Sequence, residues 1–160
     1  MDPKSAPLRE ASLVTPMAAA LEEARAAAGR GEVPVGAAIV DTRTGAIIAR
    51  AGNRTEELAD PSAHAEILAL RAAAAALGAP RLPNCDLYVT LEPCAMCAAA
   101  TSFARIRRLY FGAPDPKMGA VEHGPRFFVQ PTCHHAPEVY GGIGESEAAA
   151  LMRDFFKVRR

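Results

Sequence analysis

At 160 residues, half of them hydrophobic and only 6% aromatic, the chain is long enough for one domain with its own core and needs no disulfide to hold it. Lys plus Arg equals Asp plus Glu at 18 each, and a formal net charge of zero excludes a broadly basic nucleic-acid binder while leaving room for local patches. No apolar run approaches the roughly 20 residues of a membrane span.

The first residues, Met1 to Val14, mix Pro, Ser and charge without an apolar h-region, and read as a loose leader (residues 1–15) ahead of a single domain at 16–160. A helix is expected from Pro16 to about Ala28, ended by Gly29. Val35–Val40 and Ala46–Ala51 read as two strands of a hairpin, joined through Asp41-Thr42-Arg43-Thr44-Gly45. A second helix is expected over Ser62–Leu77, ended by Gly78. Asp86–Leu91 reads as a buried strand, Pro93 to about Ala104 as a helix opened by proline, and Ile106–Phe111 as another strand. Gly112–Pro137 reads as irregular, and a last helix runs from about Ser146 to the end. Helices alternating with strands imply a layered α/β domain. The strand–helix–strand run in the second half implies parallel pairing, the early hairpin antiparallel pairing, and the two together a mixed sheet.

With no secretory segment, the expected compartment is reducing, the cytoplasm, where cysteines serve as metal ligands or free thiols rather than disulfides. Cys94 and Cys97 stand three apart at a helix start, so one turn brings both sulfurs to one ion, and the helix N-terminus favours thiolate. His64, near the start of the preceding helix, supplies a nitrogen. Three protein ligands leave tetrahedral zinc one open position for water, whose pKa then falls to roughly 7. Glu66, two residues beyond His64, can take and return that water's proton. Each half has an ordinary alternative: Cys-x-x-Cys occurs outside catalytic zinc sites, and His-x-Glu occurs on solvated helix faces. A structural zinc site, with Cys85, Cys133, His134 or His135 as fourth ligand, is a further alternative. Cys85 otherwise reads as a buried small hydrophobe, and His134 and His135 as loop histidines.

His64-Ala65-Glu66 with Pro93-Cys94-Ala95-Met96-Cys97 resembles the signature of the zinc nucleobase deaminases. The surrounding text resembles the bacterial tRNA-specific adenosine deaminases over roughly Pro16 to Arg160. It includes Glu32-Val33-Pro34-Val35-Gly36, Gly52-Asn53-Arg54, Leu87 to Glu92, Asp115-Pro116-Lys117 and Asp154-Phe155-Phe156. The resemblance implies a three-layer α/β/α cytidine-deaminase-like fold on a central mixed five-stranded sheet. It implies one Zn2+ per subunit on His64, Cys94 and Cys97, with Glu66 as catalytic proton shuttle. The implied reaction is hydrolysis of adenosine to inosine at the wobble position of a tRNA anticodon stem-loop. Implied substrate contacts are Val35, Asn53, Ala65, Asp115, Lys117 and Phe156, and the implied assembly is a homodimer.

For those contacts the residues themselves leave other readings open: a turn asparagine, a core valine, a solvated loop, a core phenylalanine. Deamination of a free base such as guanine or cytosine, and a non-catalytic zinc module, also stay open. Val121–Tyr140, with Cys133-His134-His135, departs from the family's text. Two basic groups could meet phosphates: Arg105, Arg107 and Arg108 on one strand, and Arg153, Lys157, Arg159 and Arg160 on the last helix.

Overall fold

The computed structural model describes residues 14–159; most of the expected leader, and Arg160, lie outside the described residues. The chain begins its first helix, α1 (Pro16–Gly29), with Thr15 as a cap whose hydroxyl accepts the Ala18 N–H at 3.1 Å, so Thr15 belongs to the domain. Then follow β1 (Gly36–Asp41), β2 (Ala46–Gly52), α2 (Ala65–Leu77), β3 (Cys85–Leu91), α3 (Ala95–Phe103) and β4 (Arg108–Ala113). A single 3-10 turn at Phe127–Val129, β5 (Glu138–Tyr140) and α4 (Glu145–Val158) complete the chain.

The five strands lie in the order β2-β1-β3-β4-β5. β1 pairs antiparallel with β2 and β3, while β3–β4 and β4–β5 are parallel, so the sheet is mixed as expected. β1 is buried along its whole length, in keeping with its text Gly-Ala-Ala-Ile-Val-Asp and its place between β2 and β3. Alternation along the strands sends Ala37, Ile39, Leu87, Val89, Leu109 and Phe111 into a core shared with Ala65, Ala69, Leu70 and Ala73 of α2. Ala38 and Ala113 face the opposite layer, with Met17, Ala20 and Leu21 of α1 and Ala148 of α4. The result is three layers, α1/α4, sheet and α2/α3.

Alanine on α1 lets helix and sheet approach closely, and glycine completes the approach. A Cβ on Gly36 would strike the Ala20 carbonyl and stand 2.6 Å from the Ala24 nitrogen. Gly36→Ala is therefore expected to destabilise by about 1–3 kcal/mol through overpacking. Gly29→Ala, with open space around the new methyl, should be neutral or slightly stabilising. Urea midpoints of the two variants test the contrast.

Several boundaries differ from the sequence expectation, each for a local reason. Ser62 does not cap α2: Asp60 holds it in a preceding turn, accepting both its N–H (2.8 Å) and its hydroxyl (2.7 Å), so the helix starts at Ala65. Pro93 precedes α3 rather than opening it, and Cys94 is the cap. Arg105 takes a left-handed conformation (φ 61°), which delays β4 to Arg108. Arg105, Arg107 and Arg108 therefore do not share one strand. Arg107 pairs with Asp86 at 2.7 Å and Arg108 with Glu138 at 2.7 Å, at the end of β4 away from Ala113. No helix among the described residues is long and apolar enough to cross a membrane.

Candidate metal centre and substrate cavity

Two helix N-termini converge on one point. His64 caps α2 and Cys94 caps α3, both with extended backbone, while Glu66 and Cys97 lie in the first turns that follow. His64 Nδ1 is 3.6 Å from Cys94 Sγ and 3.4 Å from Cys97 Sγ. Bonds of about 2.0 Å to nitrogen and 2.3 Å to sulfur at a tetrahedral angle separate the donors by roughly 3.5 Å, so the arrangement fits zinc. Among the described residues, no fourth His, Cys, Asp or Glu joins this cluster. Cys85 is in the core at the start of β3. Cys133 and Ser102 both reach the His135 carbonyl, at 3.2 and 2.6 Å, and the His135 ring contacts the Ile106 carbonyl at 2.7 Å. The set is an open, three-ligand site.

Without an ion the two sulfurs share a proton unequally. The Cys97 thiol beside it holds Cys94 down to about 4, against burial and with help from His64. Cys97 is pushed far up by the Cys94 thiolate it faces and by burial. His64 is raised, chiefly by its contact with Cys94. Burial raises Glu66 above the ordinary carboxylate range.

His64, Glu66 and Cys94 line a cavity of about 220 Å3, together with Val33, Val35, Asn53, Thr55, Ala65, Asp115 and Met118, while Cys97 lies buried behind it. A wider groove of about 970 Å3 shares Val33, Leu91, Asp115 and Met118 with it. The groove continues past Lys117, Arg153, Phe156 and Lys157. Of the expected substrate contacts, Val35, Asn53, Ala65 and Asp115 line the cavity. Lys117 and Phe156 line only the groove. Phe156 is exposed; its neighbour Phe155 takes the buried place, under the Arg159 guanidinium at 3.5 Å. Arg159 is thus drawn away from the groove.

Two buried carboxylates escaped the sequence reading. Glu92, 2% exposed, accepts the N–H groups of Asp115, Val121, Glu122 and His123 at 3.0–3.2 Å and contacts the His123 ring at 2.7 Å. Burial acts to raise it, but those donors outweigh burial and hold it below its ordinary range. Glu32, also 2% exposed, accepts from Asn53 and from the Glu56 and Glu57 N–H groups. Each carboxylate ties one wall of the cavity in place. Their partners are mostly backbone groups of distant loops, which leave no mark in a sequence pattern.

A three-layer fold with an open His/Cys/Cys site at two helix starts defines a zinc-dependent deaminase. The chain belongs to the family of the cytidine and deoxycytidylate deaminase zinc-binding region, whose model matches residues 12–113. Within it, the chain is 65% identical to a tRNA-specific adenosine deaminase of Agrobacterium fabrum over 90% of this chain and 93% of that one. A solved structure from work on A-to-I editing by tRNA:A34 deaminases superposes with a TM-score of 0.83 at 65% identity, covering 85% of this chain and 97% of the other. A guanine deaminase from Nitrosomonas europaea is more distant, with a TM-score of 0.72 at 28% identity over 88% of this chain and 82% of that one. Membership of this family and the donor set agree on one zinc per chain.

Proposed function

We propose that the protein hydrolyses adenosine to inosine at the wobble position of a tRNA anticodon loop. The observation that carries this is the continuity of two spaces: a base-sized cavity lined by His64, Cys94 and Glu66, and a groove with an apolar floor and three cations, Lys117, Arg153 and Lys157. A free base would need only the first. A strand with one base turned inward uses both, and a loop is the cheapest place from which to extrude a base. The relatives named as tRNA-specific adenosine deaminases support the same reading.

When bound to His64, Cys94 and Cys97, zinc supplies a Lewis acid that makes water nucleophilic at neutral pH. Glu66, buried beside it, takes a proton from the attacking water and delivers it to ring nitrogen N1 as the O–C6 bond forms. It then carries the remaining proton of the C6 hydroxyl to the exocyclic amine, leaving C6=O. The C6–N6 bond breaks, ammonia leaves and inosine remains. Val35 and Ala65 pack around the base, Asn53 meets the extruded nucleotide, and Asp115, Lys117 and Phe156 meet the flanking sugars and backbone. On this reading the enzyme acts on tRNA in the cytoplasm.

A homodimer is the assembly proposed with it. Phe103 at the end of α3 is 72% exposed and borders an open apolar groove with Ile67, Leu70, Ala74 and Ala100. Sedimentation should give twice the chain mass, and Phe103→Glu should shift it to the single-chain value.

The function is tested by incubating zinc-loaded protein with tRNA and sequencing for adenosine read as guanosine. Parallel assays follow ammonia from tRNA, free guanine and free cytosine. Turnover of a free base with none on tRNA would defeat the reading. The groove makes its own prediction. Neutralising Lys117, Arg153 and Lys157 to Gln should lower the slope of log affinity against log salt by about 2 for an anticodon stem-loop, at roughly 0.7 per phosphate contact. An unchanged slope in anisotropy titrations would make these cations bystanders.

A further inference from the structure

Asn53 is 6% exposed and lines the cavity. Its backbone is pinned on both sides: the N–H donates to the Val35 carbonyl at 3.0 Å, and its own carbonyl accepts from Arg30 at 3.2 Å. The side-chain amide then has one freedom left, a half-turn exchanging its oxygen and nitrogen. Glu32 removes it. Oε1 of Glu32 accepts the Glu57 N–H at 2.8 Å, and Oε2 accepts the Glu56 N–H at 3.3 Å. A carboxylate has no proton to give, so the Asn53 atom 3.3 Å from Oε2 is the NH2 nitrogen. Its second hydrogen faces Thr55 Oγ1 at 3.4 Å. Both amide hydrogens are thus directed at protein acceptors, Glu32 and the cavity-lining Thr55, and among the described residues nothing donates to Asn53 Oδ1.

We propose that Glu32 is a positioning residue that selects substrate. It locks the Asn53 amide with its carbonyl oxygen toward the cavity, so that the site demands a hydrogen-bond donor from the nucleotide at that point. The proposal rests on reading the cavity as a nucleotide site. A ribose hydroxyl or an N–H finds a partner there, whereas a ring nitrogen meets a repelling lone pair. The reverse orientation sets the amide oxygen against the Glu32 carboxylate, which the buried setting makes costly. Glu32 itself touches no substrate.

The test is an exchange of roles. Glu32→Gln can both donate to and accept from Asn53, which frees the half-turn; Asn53→Asp sets two carboxylates together. Each is expected to lower kcat/KM on an anticodon stem-loop by about 10–100-fold, the range for outer partners of a site, with zinc content unchanged. The Glu32→Gln loss should fall on KM more than on kcat. The double variant restores the pair with Gln donating and Asp accepting, still presenting an acceptor to the cavity, and should recover most of the loss. A double variant no better than the poorer single one overturns the proposal.

Stem-loops carrying 2′-deoxyribose at the target nucleotide identify the donor. A penalty present in the unaltered enzyme and absent in Glu32→Gln assigns the ribose hydroxyl, and equal response to both sugars assigns a base N–H. A penalty from 7-deazaadenine that vanishes in Glu32→Gln would mean that the amide hydrogens face the base, and overturns the proposal. One readout needs no substrate. The Asn53 side-chain amide protons, followed by NMR in ligand-free zinc-loaded protein, should exchange slowly in the unaltered chain and faster in Glu32→Gln. Free exchange in the unaltered chain refutes the lock whatever the substrate is. Slow exchange with no turnover on tRNA strikes the functional reading instead. This measurement also decides the matter if Glu32→Gln fails to fold.

Discussion

Glu66→Gln is expected to reduce turnover by about 10²–10⁴-fold, the contribution of a positioned acid–base group, while zinc stays bound. The amide keeps the shape of the side chain but cannot accept the proton of the attacking water or return it to the leaving amine. Because His64, Cys94 and Cys97 are untouched, metal content by atomic emission should match the unaltered enzyme. Turnover that survives the change would remove Glu66 from the chemistry. The same variant carries a stability signature in metal-free protein. Burial raises Glu66 in the folded chain, so folding favours its protonated form. Stability linked to this group is fully present below its ordinary value of about 4.3 and is lost as pH rises through the raised one. Metal-free Glu66→Gln escapes that loss. It should match the parent near pH 4 and melt higher at neutral pH, as is common where a functional group is held at a cost to the fold. Equal melting at both pH values would show that the carboxylate carries no such penalty.

Cys97→Ser is expected to abolish zinc binding at stoichiometric metal and, with it, all measurable turnover. The hydroxyl is a poor zinc donor, and the two remaining ligands cannot hold a tetrahedral ion in competition with water. The metal-free pocket adds a measurable detail. Zinc binds cysteine as thiolate, and Cys97 is held far above its ordinary value beside Cys94, so zinc uptake is expected to displace a proton there. Calorimetry in buffers of different ionisation enthalpy should show proton release when the unaltered chain takes up zinc, and apparent affinity falling as pH is lowered. Uptake without proton release would mean that Cys97 is not a ligand. Chelation should reproduce the loss of turnover, and added zinc should reverse it in the unaltered chain but not in Cys97→Ser.

The metal cluster was legible in the sequence because its geometry is local: Cys94 and Cys97 share one turn, and His64 and Glu66 share another. The layered, mixed sheet was legible for the same reason, from the hairpin ahead of a strand–helix–strand run. What lay hidden depends on tertiary contact. Three residues, Glu138-Val139-Tyr140, are too few to show alternation, so β5 could not be located although the resemblance implied five strands. Its stacking is visible only in three dimensions, where Tyr88, Tyr110 and Tyr140 align across three strands with ring centroids 4.4 and 5.1 Å apart. Arg107 and Arg108 read as an RNA patch because the sequence conceals their partners Asp86 and Glu138. Glu32 and Glu92 stood in plain view within quoted motifs, yet neither suggested the loops it holds.

The grip of Glu92 on the segment from Asp115 to His123 bears on how a base gets in and out. That wall is fastened by four backbone N–H groups to the residue just before Pro93-Cys94, so it cannot swing open without disturbing the start of α3. The Met118 side chain, exposed and unbranched, lines both cavity and groove and is held by no such bond. Rotamer changes of such a side chain take picoseconds to nanoseconds, far faster than typical turnover. The part of this mouth that can shift without breaking a backbone hydrogen bond is therefore a single thioether side chain.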